Sequence, residues 1–298
     1  MRWRGVAKGA VRSLARSLDL DVVERSVYSP VPEVPPPGSA VWSRRTPSLG
    51  FELDPLTSLE YLESTLASYL VEFRPPHEPT GRDGEFYLRN WWYGPVDAEV
   101  LYAMVRHHKP RRLLELGAGY STLVSARACA ANAGQGHPAE FVAVDPEPRT
   151  GLGDAIPGLT RLERRRATEL ALERFLALER GDVLFVDTSH TVKLGSEVNH
   201  VILEVLPQLA AGVLVHFHDI FLPYEYPRAF FARCTYLAEQ YLLQAFLSCN
   251  PSYEVLFAAH AVARDHFERL ARLIPSLREV EHGPAAFWLR RRLDAPSS

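Results

Sequence analysis

Cysteine is scarce in this 298-residue chain: Cys129, Cys234 and Cys249 are its only three, and no two stand at CxxC spacing. That odd number argues against a disulfide framework or a zinc ribbon. No apolar run approaches the roughly 18 residues needed to cross a bilayer. The first eighteen residues scatter basic side chains among apolar ones and lack the apolar core of about 7–15 residues that a secretory signal needs. A charge excess is missing too. Thirty-three Lys+Arg oppose thirty-six Asp+Glu, a formal net charge of −3, so no global basic field points to nucleic acid. The composition, 47% hydrophobic and 23% charged, predicts a folded cytoplasmic protein.

Proline divides what is there. Ten of the twenty-three prolines lie between residues 30 and 79, concentrated in SPVPEVPPPG (29–38) and RPPHEP (74–79). Neither stretch can sit inside a helix or a central strand. Residues 1–40 read as a cationic segment followed by an extended connector, and 41–94 as a helical extension or lid. Within it, Leu56, Leu59, Leu62, Leu66 and Leu70 recur at helical spacing over 54–72, with Asp54 as N-cap and Pro55 at the first position.

From about residue 95 short apolar runs alternate with helical patterns. The runs are RRLLELG (111–117), EFVAVD (140–145), DVLFVD (182–187), GVLVHFHD (212–219), YEVLFAA (253–259) and AAFWLRR (285–291), with a weaker one at LTRLERR (159–165). Helices are expected over 121–132, 191–209 and 228–247. This alternation predicts a doubly wound, Rossmann-like α/β domain over 95–293. Its seven strands are mostly parallel with the last antiparallel, and helices cover both faces.

In such a sheet the chemistry lies where strands end. The first strand runs into Glu115-Leu116-Gly117-Ala118-Gly119-Tyr120-Ser121-Thr122. Gly117 and Gly119 allow a sharp turn and close approach of backbone to a ligand, and Ser121 can cap the next helix. A dinucleotide fingerprint would place a small third residue where Thr122 stands. Glu115 would repel a pyrophosphate but can accept hydrogen bonds from a cationic amino-acid group. The bland alternative is a tight turn with no ligand.

On these residues the chain resembles the class I S-adenosylmethionine-dependent methyltransferases. The family's first motif is an acid followed by GxG after strand one, matched by Glu115, Gly117 and Gly119. Its second is a strand-two carboxylate that holds the ribose hydroxyls, matched by Asp145. RRRATEL (164–170) stands where the third, adenine-contacting segment would fall. The pattern D-x-x-H at Asp187–His190, followed by GVxVxxHD, resembles small-molecule and sugar O-methyltransferases. The resemblance implies S-adenosylmethionine as cofactor, bound by Glu115, Gly117, Gly119, Tyr120, Ser121, Thr122 and Asp145, with Asn90 and Tyr93 nearby.

By position, the resemblance also implies a divalent ion on Asp187, His218 and Asp219. His218 stands where an oxygen ligand is more common, which favours Mn²⁺ or Fe²⁺ over Mg²⁺. His190, a short turn beyond Asp187, is the expected general base. The other readings stay open: Asp187 and Asp219 as strand-end caps, or a metal-free base site with His190 or His218 working alone. His216 reads as a buried histidine satisfied by backbone, and Glu197 and Lys193 as a solvated helix face.

Aromatic clusters over 85–99 and 221–231 suit a sugar or aromatic ring, with Tyr224 and Tyr226 expected on the acceptor side. Arg2, Arg4, Lys8, Arg12 and Arg16 come with no acid in the first eighteen residues. That predicts either peripheral contact with an anionic membrane or a frayed terminus. The leading expectation is an O-methyltransferase acting on a small hydroxylated acceptor, a saccharide or secondary metabolite. The competitors are an NAD(P)-dependent oxidoreductase and a non-catalytic glycan-assembly scaffold with a vestigial nucleotide site.

Overall fold

The short apolar runs form strands because both of their faces become covered. They are β1 (Arg112–Leu116), β2 (Glu140–Val144), β3 (Arg161–Glu163), β4 (Val183–Val186), β5 (Leu214–Phe217), β6 (Tyr253–Ala258) and β7 (Phe287–Arg291). The computed structural model describes residues 2–82, 84–148, 152, 155–232, 235–279 and 283–293, with backbone only at 2–7 and 232. Among these residues the strands form one sheet in the order 3-2-1-4-5-7-6. β1 to β5 are parallel, and β7 runs antiparallel between β5 and β6. This is the doubly wound, mostly parallel sheet expected from the sequence. The chain order reverses between β1 and β4, and in open sheets that reversal marks the ligand crevice.

Alternation along the strands splits the core into two layers. Leu113, Phe141, Val183, Phe185 and Trp288 face one layer, and Leu114, Val142, Leu184, Val186 and Val215 face the other. The helices, in chain order, are α1 (Arg2–Ser17), α2 (Pro55–Tyr61), α3 (Ala67–Glu72), α4 (Asp97–His108), α5 (Tyr120–Ala133), α6 (Leu172–Leu176), α7 (Glu197–Asn199), α8 (Arg228–Ala232), α9 (Glu239–Leu247), α10 (Ala259–Asp265) and α11 (Phe267–Leu273). The first layer is closed by α2 to α5 and α11, the second by α6, α7 and α9.

Asp54 caps α2 as expected, its carboxylate accepting the Leu56 and Thr57 amides at 3.1 and 3.2 Å. The leucine pattern over 54–72 is interrupted by a π turn at Leu62–Leu66, which leaves Leu59, Leu62, Leu66 and Leu70 all buried. Two expected helices are shorter than their patterns. The one over 191–209 starts only at Glu197, because Gly195 adopts φ +71° and Ser196 caps the shortened helix. The one over 228–247 divides into α8 and α9. The amides of Ala238 and Glu239 both donate to the His190 carbonyl, which ties the start of α9 to the loop after β4.

Cys129 is a buried free thiol and Cys249 an exposed one; Cys234 lies outside the described residues, as do the side chains of Arg2 and Arg4. No helix among the described residues is long and apolar enough to cross a membrane.

Candidate active site

The turn after β1 is built by close approach. Gly117 sits at φ +89°, and a Cβ there would fall on the Asp187 carbonyl. No side chain is tolerated where β1 and β4 end side by side. Asp145, at the end of β2, braces the turn from the other side. Its two carboxylate oxygens accept the Ala118 and Glu147 amides, each at 2.7 Å. Ser121 and Thr122 donate to the same oxygen of Glu115, at 2.6 and 3.1 Å. Glu115 is fully buried, its other oxygen has no protein partner, and burial pushes its pKa up to about 8.

The ends of β4 and β5 carry an alternating row of acids and imidazoles. His190 Nδ1 pairs with Glu239 at 2.7 Å. Its Nε2 faces Asp187 at 3.1 Å and Asp219 at 3.6 Å. His218 Nδ1 faces the same two carboxylates at 3.7 and 3.8 Å, and its Nε2 faces Asp97 at 3.3 Å. Asp97 is fixed in turn by the amides of Ala285 and Ala286. Burial opposes charge on both imidazoles. The hydrogen bonds of His190 to Asp187 and Glu239 nonetheless raise its pKa well above the ordinary value. The field of Asp187 and Asp219 does the same for His218. Against its own burial, Asp187 is held well below the usual carboxylate range by the two rings.

His190 and Asp219 both adopt φ +54°, a left-handed conformation that is sparsely populated by non-glycine residues and tends to mark functional sites. Behind this row His216 is fully buried. It lies parallel to Phe185 at 4.2 Å, and its pKa is driven well below normal by burial and by the neighbouring His218. Its Nε2 meets the Tyr93 hydroxyl at 3.2 Å while its Nδ1 has no partner among the described residues, so a side chain meets one nitrogen where backbone was expected.

Two clefts open on this row. The larger, about 920 Å³, lies over the crevice between β1 and β4. Gly117, Gly119, Tyr120, Ser121, Asp145 and Tyr93 line it, and the row itself supplies Asp187, His190, His218 and Asp219. Arg166 and Ala167, from the segment expected to contact adenine, also reach it. The smaller cleft, about 570 Å³, is walled by Trp91, Trp92, Phe221 and Phe230. His218 and Asp219 belong to both clefts, as do Trp91, Trp92 and Phe230.

Several expectations shift. Glu115 and Thr122 sit behind the turn and are absent from the cleft walls; they hold the turn together. Asn90 is absent from them too. Its amide donates to the Tyr87 and Tyr93 carbonyls and its oxygen accepts the Trp92 and Tyr93 amides, which folds the aromatic loop. Tyr224 bonds Asp265 and Tyr226 is buried, accepting the Gln240 amide; neither lines either cleft, whereas Trp91, Trp92 and Phe230 line both. Glu197 and Lys193 line the larger cleft, with Glu197 accepting the Ser189 amide at 3.1 Å.

The divalent ion expected on Asp187, His218 and Asp219 does not fit this arrangement. Both nitrogens of His218 face carboxylates, so the ring is held as an imidazolium with no lone pair to offer. Among the described residues no group of three His, Cys, Asp or Glu is disposed to hold a metal. Asp97 and Glu239 went unnoticed in the sequence, because each opens a helix and reads as an ordinary first-turn acid.

Residues 114–220 match the family described as a methyltransferase domain. The span begins within β1 and ends after β5, so it contains the glycine turn, Asp145 and most of the acid–imidazole row. An uncharacterized protein of Archaeoglobus fulgidus is 31% identical over 104 residues, 33% of this chain and 47% of that protein. The chain therefore spans about half the length of this relative. Among solved structures, an O-methyltransferase from Bacillus cereus in complex with SAH is similar at 15% identity. The alignment covers 81% of this chain and 92% of that one, with a TM-score of 0.39. The O-methyltransferase TomG from Streptomyces achromogenes, in complex with SAM and involved in tomaymycin synthesis, is similar at 14% identity. There the coverage is 82% and 93% and the TM-score 0.40. Residues 114–220, which carry the glycine turn at the switch point of the doubly wound sheet, thus match a methyltransferase domain.

Proposed function

We propose that this protein transfers a methyl group from S-adenosylmethionine to a hydroxyl oxygen of a small acceptor, a saccharide or a secondary metabolite. The observation that carries this reading is the meeting of two clefts at His218 and Asp219. A donor in one and an acceptor in the other would be joined in line across that junction, and such alignment supplies much of the rate of a direct transfer.

The residues of the larger cleft fit the cofactor. Asp145 ends its strand at the wall, where a carboxylate suits the ribose hydroxyls. Thr188 also lines the cleft, with a buried hydroxyl that has no protein partner. When bound, S-adenosylmethionine supplies an electrophilic methyl group on a sulfonium. On the acceptor side, Trp91 and Trp92 present flat surfaces for a ring, beside the polar groups of Glu78 and Arg89.

The proton of the acceptor hydroxyl goes to the acid–imidazole row. Four carboxyl groups, Asp97, Asp187, Asp219 and Glu239, face two imidazoles, so the row can take up a proton without becoming cationic. Asp219, shared by both clefts, is the base that meets the acceptor. His190 and His218, already protonated, hold Asp187 and Asp219 in place and spread the incoming charge. The role expected for His190 thus moves to its neighbour.

Calorimetry with S-adenosylhomocysteine and with NADH tests the cofactor, and Asp219→Asn tests the base. Binding of S-adenosylhomocysteine alone is expected. The variant should lose about a hundredfold or more in turnover while its affinity for S-adenosylhomocysteine is preserved. Tight NADH binding without nucleoside-thioether binding would overturn the assignment.

A further inference from the structure

Helix α1 turns its apolar side to solvent. Val11 and Leu14 on the helix and Leu18 in the turn just after it recur at intervals of three and four and are 54%, 66% and 65% exposed. Lys8, Arg12 and Arg16 follow one another at intervals of four, along a different face. After Ser17 the chain doubles back, and it does so along the charged side. The Leu20 amide bonds the Ala15 carbonyl, Ala15 is buried, and Glu24 accepts Lys8 at 2.7 Å and Arg12 at 3.0 Å.

A helix of a globular protein ordinarily lays its apolar stripe on the core. Here the apolar stripe stays outward, and the cationic side is tied, among the described residues, only by Glu24, with Lys8 and Arg12 still 55% and 49% exposed. Leu20, Val22, Val23 and Val27 extend that exposed apolar surface beyond the helix. The charge pattern narrows what can cover it. The first eighteen residues hold five basic side chains and no acid, in a chain of net charge −3, so the rest of the molecule is net acidic. A second copy of the helix would bring five positive charges against five. An anionic surface with an apolar interior matches both faces at once.

We propose that α1 lies in the plane of an anionic lipid surface. Val11, Leu14 and Leu18 enter the acyl boundary, while Lys8, Arg12 and Arg16 reach the headgroup phosphates, their long stems following the apolar surface. Glu24 competes with the headgroups for Lys8 and Arg12, so it holds the helix back from the membrane.

Cosedimentation of the full chain with phosphatidylcholine vesicles, with and without about one-third phosphatidylglycerol, tests this. The protein should pellet with the anionic vesicles only, and less as added salt screens the attraction. Leu14→Asp should lower the partition at least about tenfold and Arg16→Gln about fivefold. Glu24→Gln should raise it by freeing two cations, an effect that no merely structural role of the ion pair predicts. Unchanged affinity for S-adenosylhomocysteine in each variant confirms that the domain is intact. Equal partition of wild type and Leu14→Asp would overturn the proposal. So would a concentration-dependent dimer, seen by light scattering, that Leu14→Asp abolishes, since the stripe would then belong to a second copy.

Discussion

Replacing Glu115 by glutamine should flatten the pH dependence of stability between pH 5 and 7.5. The carboxyl is fully buried behind the glycine turn, and burial raises its pKa from 4.5 to about 8. An acid raised in the folded state acts in the opposite sense to a salt-bridged one. Below about pH 4.5 both states are protonated and the group contributes no penalty. Above that the unfolded chain ionises while the folded one does not, so folding takes up a proton and stability falls by about 1.4 kcal/mol per pH unit. The loss levels off once the folded carboxyl ionises near pH 8. From pH 5 to 7.5 it accumulates to about 3 kcal/mol.

Glutamine keeps the oxygen that accepts the Ser121 and Thr122 hydroxyls. Its amide nitrogen replaces an oxygen that already lacks a protein partner, at a pH-independent cost of about 1–3 kcal/mol. The measurable quantity is therefore the difference between the two proteins at two pH values, in which other titrating groups cancel. Urea denaturation at pH 5 and 7.5 gives it directly. Relative to wild type, the variant should gain about 3 kcal/mol over that interval. Parallel loss of stability in both proteins would refute the reasoning and show Glu115 ionised in the fold.

Gly117→Ala forces a Cβ onto the Asp187 carbonyl and should cost more than about 3 kcal/mol. Thermal unfolding, with S-adenosylhomocysteine calorimetry on any soluble fraction, checks it, and a stable, fully binding variant would contradict the close approach. Asn90→Ala removes four hydrogen bonds to the backbone of the aromatic loop and should destabilise by about 3 kcal/mol. Calorimetric melting measures that effect, and a change within error would mean the loop holds itself. Turnover should survive treatment with EDTA, because both ring nitrogens of His218 already face carboxylates. Activity lost on chelation and restored by Mn²⁺ would show that the row reorganises around an ion.

The strands were legible because two-sided burial leaves a plain mark: runs such as VLFV and FVAV have no polar position for solvent. The glycine turn was legible because few other uses bring two glycines to the end of a buried strand. Ser121, expected to cap the next helix, instead donates to Glu115, and Gly119 takes the cap position. The limits of the long helices were less so. Nothing in the apolar spacing of 191–209 records that Gly195 takes a positive φ, or that the loop after β4 captures the start of α9. Asn90 was expected near the cofactor, yet its amide folds its own loop, and nothing in the sequence separates the two uses. Asp97 and Glu239 were invisible for a simpler reason. Their partners His218 and His190 lie 121 and 49 residues away, and only the sheet order brings them together.

The left-handed backbone at His190 and Asp219 has a consequence for anyone who engineers this protein. Each residue holds a conformation that glycine would adopt without steric cost, and that relaxation is worth on the order of 1 kcal/mol. A selection for thermal tolerance alone would therefore favour glycine at Asp219, whereas at His190 the loss of its buried bonds to Glu239 and Asp187 outweighs that gain. Its winners would be tougher proteins with an inert junction between the two clefts. A library built to improve robustness should hold these two codons constant and seek its gains elsewhere, at sites such as the exposed loops where backbone geometry serves no chemistry.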